Sequence, residues 1–182
     1  MLLLHKKRGT VTTRVDEKGR PTVYDQLPTE VARNLHSVGR LDLATTGLLI
    51  LTNDTRLSDW LTDPRQSIRR TYLVTVRGEL TADKITVLES GLRESGDWLR
   101  ADQIELRKSS RRETHLVVHL SEGKNREIRR MFLAQGHEVT RLKRVAYGAL
   151  ELGELKPGAY RELSRGELLN AFPGAPLRLK NG

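Results

Sequence analysis

Three stretches of the sequence hold side chains that could do chemistry. Gly39-Arg40-Leu41-Asp42 puts a carboxylate in a loop just before Gly47-Leu48-Leu49-Ile50-Leu51, an apolar run of strand length. A carboxylate there can be held at a cleft by the sheet behind it. An aspartate in a turn can also do no more than bond its own backbone. The second stretch is Glu122-Gly123-Lys124-Asn125-Arg126-Glu127-Ile128-Arg129-Arg130-Met131. On a helix, Arg126, Arg129 and Arg130 fall at i, i+3 and i+4 and share a face. Three guanidiniums so placed repel one another unless an anion meets them, and phosphate suits Arg forks. A solvated basic face balanced by Glu122 and Glu127 is the plainer alternative. The third stretch, Arg69-Arg70-Thr71-Tyr72, sets an aromatic ring among cations on a strand, a pattern that suits base stacking with phosphate contacts, with a half-buried tyrosine of a sheet as the plainer alternative.

Other chemistries lack their residues. There is no cysteine, which excludes disulfides, thiolate nucleophiles and cysteine-ligated metals. His115 and His119 lie about 13 Å apart on a predicted strand, too far to share a metal ion, so no metal site is expected. Neither standard glycine-rich phosphate loop occurs, nor a Gly-x-Ser-x-Gly elbow. Trp60 and Trp98 are read as core residues.

The elements that must position these groups read as an α+β chain. Strands are predicted over residues 2–5, 47–52, 70–76, 114–120 and 139–145, with further short strands toward the C-terminus. On the third, Tyr72, Val74 and Val76 share a face; on the fourth, Leu116, Val118 and Leu120 do. Helices are predicted over 22–27, 55–61, 81–88 (capped by Thr81, closed by Gly91), 124–135 and 167–170. Ile128, Met131 and Phe132 form the core stripe of the fourth helix. Strand and helix signals alternate irregularly, so a mixed α+β domain is expected.

The chain has 182 residues, enough for one domain of two lobes, with 32 Lys and Arg against 23 Asp and Glu, a net charge of +9. Residues 105–144 contain eleven basic and five acidic side chains and so hold six of those nine charges. Such an excess favours a polyanion, nucleic acid before membrane. No apolar run approaches the roughly 20 residues a membrane span needs.

Taken together and in this order, the stretches resemble the RsuA/RluB-type pseudouridine synthases, which isomerise uridines in bacterial ribosomal RNA. The resemblance covers nearly the whole chain and implies a mixed, mostly antiparallel central sheet flanked by helices, in two small lobes around a basic cleft. It includes Lys6-Lys7-Arg8-Gly9, where Lys7 replaces the usual proline, and Asp16 through Val23. It continues through Gly39-Arg40-Leu41-Asp42 with Thr45, Gly47 and Asn53-Asp54, then Arg70-Thr71-Tyr72, the basic stretch 122–131, and Leu142 with Arg144. It implies that Asp42 is the catalytic nucleophile, that Tyr72 is the active-site tyrosine, and that Arg129, with Arg126 as second choice, pairs with the carboxylate. It also implies RNA contacts at Arg40, Arg70, Lys124, Asn125, Arg126, Arg130, Leu142 and Arg144, with Arg141 and Lys143 adding phosphate contacts. Many relatives carry an N-terminal accessory RNA-binding domain; residues 1–182 read as a single catalytic domain without one. No cofactor is expected, since isomerisation transfers nothing in or out. The expected partner is ribosomal RNA, large-subunit (23S) first, with a cytoplasmic location, no membrane contact and a monomeric state. Small-subunit RNA or transfer RNA as target, or a non-catalytic RNA-binding or ribosome-assembly role, are the alternatives.

Overall fold

A computed structural model describes residues 1–177. In chain order the elements are β1 (Leu2–Lys6), α1 (Thr29–Ala32), β2 (His36–Ser37), β3 (Thr46–Thr52), α2 (Thr55–Thr62), β4 (Arg70–Arg77), α3 (Ala82–Ser90), β5 (Leu92–Glu94), β6 (Asp97–Leu99), β7 (Gln103–Ser109), β8 (Glu113–Leu120), α4 (Glu127–Ala134), β9 (Val139–Tyr147), β10 (Leu150–Glu151), β11 (Tyr160–Glu162) and α5 (Arg165–Ala171). They form two compact units: Met1–Ile68 together with Ala146–Gly182, and Arg69–Val145. The mixed α+β class is therefore as the sequence predicts.

In the first unit β1 lies between β11 and β3, antiparallel to both, with Leu2 opposite Leu51 and Lys6 opposite Gly47. All five residues of β1 are buried, as are Gly47 to Thr52 of β3. An apolar run without alternation is what a strand covered on both faces requires. Asp54 caps α2 by accepting the N–H groups of Arg56 and Leu57. The helix then lays Leu57 and Leu61 on a core of Leu3, Val38, Leu48, Ile50, Tyr147 and Phe172. Tyr147 meets Phe172 edge-on at 5.9 Å and donates its hydroxyl to the Leu61 carbonyl. Ser164 and Glu167 close α5 with a capping box.

In the second unit β4 pairs antiparallel with β8 over eight residues, from Arg70 opposite Leu120 to Arg77 opposite Glu113. β7 pairs with the other edge of β8, with a bulge between Leu106 and Lys108. β9 lies along the free side of β4. Tyr72, Val74 and Val76 point inward with Leu116, Val118 and Leu120, as their alternation predicts. Ile128, Met131 and Phe132 of α4 are buried, again as predicted.

Several local expectations change. Residues 22–27 hold a single 3-10 turn, Tyr24–Gln26. α3 begins at Ala82 after Thr81, whose side chain makes no capping bond; Gly91 does end it, at φ +98°. α4 begins at Glu127, not residue 124, because Arg126 is in the left-handed region at φ +49° and cannot be helical. The β5–β6 hairpin, β7 and α1 carry no clear periodicity and were not expected.

Candidate functional site

Asp42 sits in the loop joining β2 to β3, and each neighbour of that loop limits its motion. Val38 N–H donates to Ile50 and Gly39 turns the chain at φ +68°. Leu41 is buried and bonded twice to Thr12: its carbonyl accepts the hydroxyl at 2.8 Å, and its N–H donates to the same oxygen at 3.3 Å. Gly9 N–H donates to Leu43 carbonyl at 2.8 Å, and Thr45 N–H returns to the Asp42 carbonyl at 3.0 Å. Asp42 as a residue is half-buried. Asp42 is thus a residue on a fixed support, as a reacting group requires.

Lys6 completes the support. It closes the buried strand β1 and is 0% exposed. Its ammonium donates to the carbonyls of Asp42 at 3.0 Å, Thr45 at 2.8 Å and Lys7 at 3.1 Å, using all three of its donors. Burial pushes this ammonium down to about 8, and the negative charge of Asp42 pulls the other way. Lys6 was not singled out from sequence as more than part of the family resemblance. The available signal was a cation ending a run of buried residues. The departure at Lys7 has a structural use: its backbone N–H donates to Gln26 Oε1 at 3.0 Å, a bond no proline could make. Arg40, in the same loop, is exposed.

In the second unit the basic residues divide into three kinds. Arg70 is buried and donates to the Ser121 carbonyl at 3.2 Å, so it braces the loop that leaves β8 rather than facing outward. Arg144 is 3% exposed, two residues along β9 from buried Leu142. Neither side chain is exposed to solvent. Arg129 is half-buried and donates to the Val139 carbonyl at 2.9 Å, fixing α4 to β9.

Arg130 is held by two acidic side chains. Its guanidinium is bonded to the Glu94 carboxylate, to the Glu94 carbonyl at 2.7 Å and to Asp97 Oδ2 at 2.8 Å. It clamps the β5–β6 hairpin to α4. Hydrogen bonds from Ser95 and Arg130 hold Glu94 below the ordinary carboxylate range. The one-face arrangement of Arg126, Arg129 and Arg130 therefore does not form. Arg126 precedes the helix, Arg129 turns to β9 and Arg130 to the hairpin. Arg126 and Asn125 are exposed at the loop tip. Lys124 is half-buried and donates to Glu122 at 2.6 Å and to the Trp98 carbonyl at 2.7 Å. Tyr72 is 8% exposed on the inward face of β4.

Beneath this loop lies a buried carboxyl group. Glu127 Oε2 accepts the Lys124 N–H at 3.0 Å and so ties the loop to the first turn of α4. Burial first, then a hydrogen bond to Glu122 and its charge, raise Glu127 to about 7. His115 and His119 each face a different carboxylate, Glu113 and Glu105 respectively. Among the described residues no group of three His, Asp or Glu could hold a metal ion, and no helix is long and apolar enough to cross a membrane.

The braced aspartate loop, the tyrosine strand and the basic loop before α4 occur in one chain order that belongs to a known class. Residues 1–134 match the sequence model of the RNA pseudouridylate synthase family, and the chain belongs to that family. Among its relatives, the ribosomal large subunit pseudouridine synthase B of Pseudomonas aeruginosa is 41% identical over 172 residues. That match spans 92% of this chain and 44% of the relative. The Bacillus subtilis protein of the same name is 38% identical over 168 residues, spanning 91% of this chain and 68% of the relative. A solved pseudouridylate synthase structure superposes with a TM-score of 0.79 at 33% identity, over 92% of this chain and 71% of that one. The chain thus spans between about a third and two thirds of the length of the curated relatives it matches. An archaeal box H/ACA Nop10–Cbf5 complex shares the fold, with a TM-score of 0.61 at 19% identity over 84% of this chain and 49% of that one.

Proposed function

We propose that this chain isomerises a uridine of ribosomal RNA, in the large subunit, to pseudouridine, with Asp42 as the nucleophile. The observation that carries this reading is the loop of Asp42, held by Lys6, Gly9 and Thr12 in a chain of this family. The relatives named above supply the substrate class. A base inside a helix is out of reach, so the target uridine is flipped out of its stack. The carboxylate then attacks the sugar C1′ or assists formation of a glycal, and the bond from C1′ to N1 of uracil breaks. The uracil turns and rejoins C1′ through C5 as any bond from C1′ to the carboxylate breaks; the hydrogen of C5 leaves to solvent as a proton and N1 takes up a proton in its place. Nothing is oxidised or transferred, so no cofactor is called for.

Tyr72 is the proposed stacking partner of the base, and Arg129 the cation proposed to pair with the catalytic carboxylate. RNA affinity is assigned to the charge excess of residues 105–144, with Lys124, Asn125 and Arg126 at the loop tip as the backbone contacts. We place the reaction in the cytoplasm and the acting form as a monomer.

Tritium release from ribosomal RNA labelled at uridine C5 tests the reading directly. The chain releases tritium and Asp42→Asn does not, while both bind RNA. Full release by Asp42→Asn removes Asp42 from the chemistry. Binding without release by the unaltered chain means a non-catalytic RNA-binding role, and release only from transfer RNA or small-subunit RNA changes the target.

A further inference from the structure

Trp98 is the candidate that the proposed chemistry leaves unused. The sequence reading puts it in the core, yet it is 51% exposed, the only aromatic side chain among the large exposed hydrophobics of the described residues. A half-exposed indole is an unusual expense of apolar surface in a chain with only 4% aromatic residues.

The surroundings fix the ring and leave it open to solvent. Gly91 lies against its edge: a Cβ there would come within 2.6 Å of Cζ2, 2.7 Å of Cε2 and 2.8 Å of Nε1. Only glycine permits that approach, and its φ of +98° also favours glycine. The carbonyl of Trp98 accepts the ammonium of Lys124, and Arg130 clamps the hairpin through Glu94 and Asp97 on either side of the turn. The ring is therefore presented on a rigid two-stranded support.

The charges around it suit a polyanion. Arg93 is directly across the hairpin from Trp98 and exposed, and Arg100, two residues along, is exposed as well, with a long ion pair to Asp102 at 3.8 Å. The acidic residues of the hairpin, Glu94 and Asp97, are both engaged by Arg130. An aromatic face flanked by cations is what non-specific recognition of single strands uses, since every base has a face to stack.

We propose that Trp98 is a stacking platform for an unpaired base of single-stranded RNA, with Arg93 and Arg100 on the adjoining phosphates. The proposal rests on the reading of the chain as an RNA-binding enzyme and extends it to a second contact, on the β5–β6 hairpin.

The test uses the full chain carrying Trp60→Phe, so that Trp98 is its sole indole. Trp60 is only partly buried at the rim of the other unit's core. A short single-stranded oligouridylate is titrated while the indole emission is followed, with a duplex RNA as control. Emission is expected to be quenched by the single strand and much less by the duplex. Trp98→Ala is expected to weaken oligouridylate binding roughly 5- to 150-fold, the span of one base–aromatic stack, and Trp98→Tyr to keep most of it. Circular dichroism of both variants checks that they fold. Unquenched emission on binding, or affinity within twofold after Trp98→Ala, overturns the proposal and assigns the exposed ring another partner. Neither readout needs turnover: loss of tritium release with quenching retained would sink the enzymatic reading alone, and release without quenching would sink this one alone.

Discussion

Replacing Glu127 with glutamine should stabilise the unit Arg69–Val145, and only above about pH 5. Glu127 is 3% exposed and opens α4, with one oxygen on the Lys124 N–H. Its ionisation is opposed by burial and by Glu122, so the folded chain holds the proton up to about pH 7, against 4.5 for a free glutamate. The folded state binds more protons than the unfolded between those values. Stability is therefore fully present below pH 4.5, falls as pH rises towards 7, and levels off above it. At ~1.36 kcal/mol per unit the loss is about 3 kcal/mol. Glutamine keeps the acceptor for Lys124, can donate to Glu122, and never ionises. The stability of Glu127→Gln minus that of the unaltered chain should be near zero at pH 4.5 and about 3 kcal/mol at pH 8. Urea unfolding across that range measures it, where the gain moves the midpoint by roughly 1 M or more. A difference that does not change with pH, or one favouring glutamate at pH 8, would refute the argument that a buried carboxyl is being forced to ionise. Glu122→Gln should shrink the pH dependence without removing it, since burial is the larger cause.

Three further outcomes follow from the same contacts. Lys6→Met keeps the apolar stem but strips the donor from three carbonyls, which costs ~1–3 kcal/mol for each one left unsatisfied. Hydrogen exchange over residues 39–45 should quicken and tritium release should fall; unchanged exchange would mean the ammonium does not pin the loop. Arg130→Ala should free the β5–β6 hairpin, seen as faster exchange over residues 92–99, and leave the salt dependence of RNA binding nearly as it was. A clear drop in the salt slope would put Arg130 on the RNA backbone instead. Gly91→Ala should displace the Trp98 ring, read as a red shift of its emission, because a methyl group at that position overlaps the indole.

Much of the fold is legible in the sequence because the signals are local. The uninterrupted apolar run before Thr52 marks a strand covered on both faces, and the alternation through residues 114–120 marks one with two unlike faces. The stripe of Ile128, Met131 and Phe132 marks the buried side of α4, and Asp42 is legible as a residue on a turn beside a buried strand. Periodicity and turn chemistry need only the neighbouring residues.

What each charged side chain does was settled by partners far along the chain. Arg130 meets Glu94 36 residues away, Lys6 meets Thr45 39 residues away, and Arg70 meets Ser121 51 residues away. A guanidinium or ammonium has the same letter whether it grips a phosphate, braces a loop or is sealed in a core, and its role depends on which acceptors the fold brings within 3 Å. The same holds for Trp98, whose exposure follows from a short hairpin that no sequence period announces. Composition thus determined that the chain is basic and where its charge lies, and tertiary contacts decided which of those charges remain open to a partner.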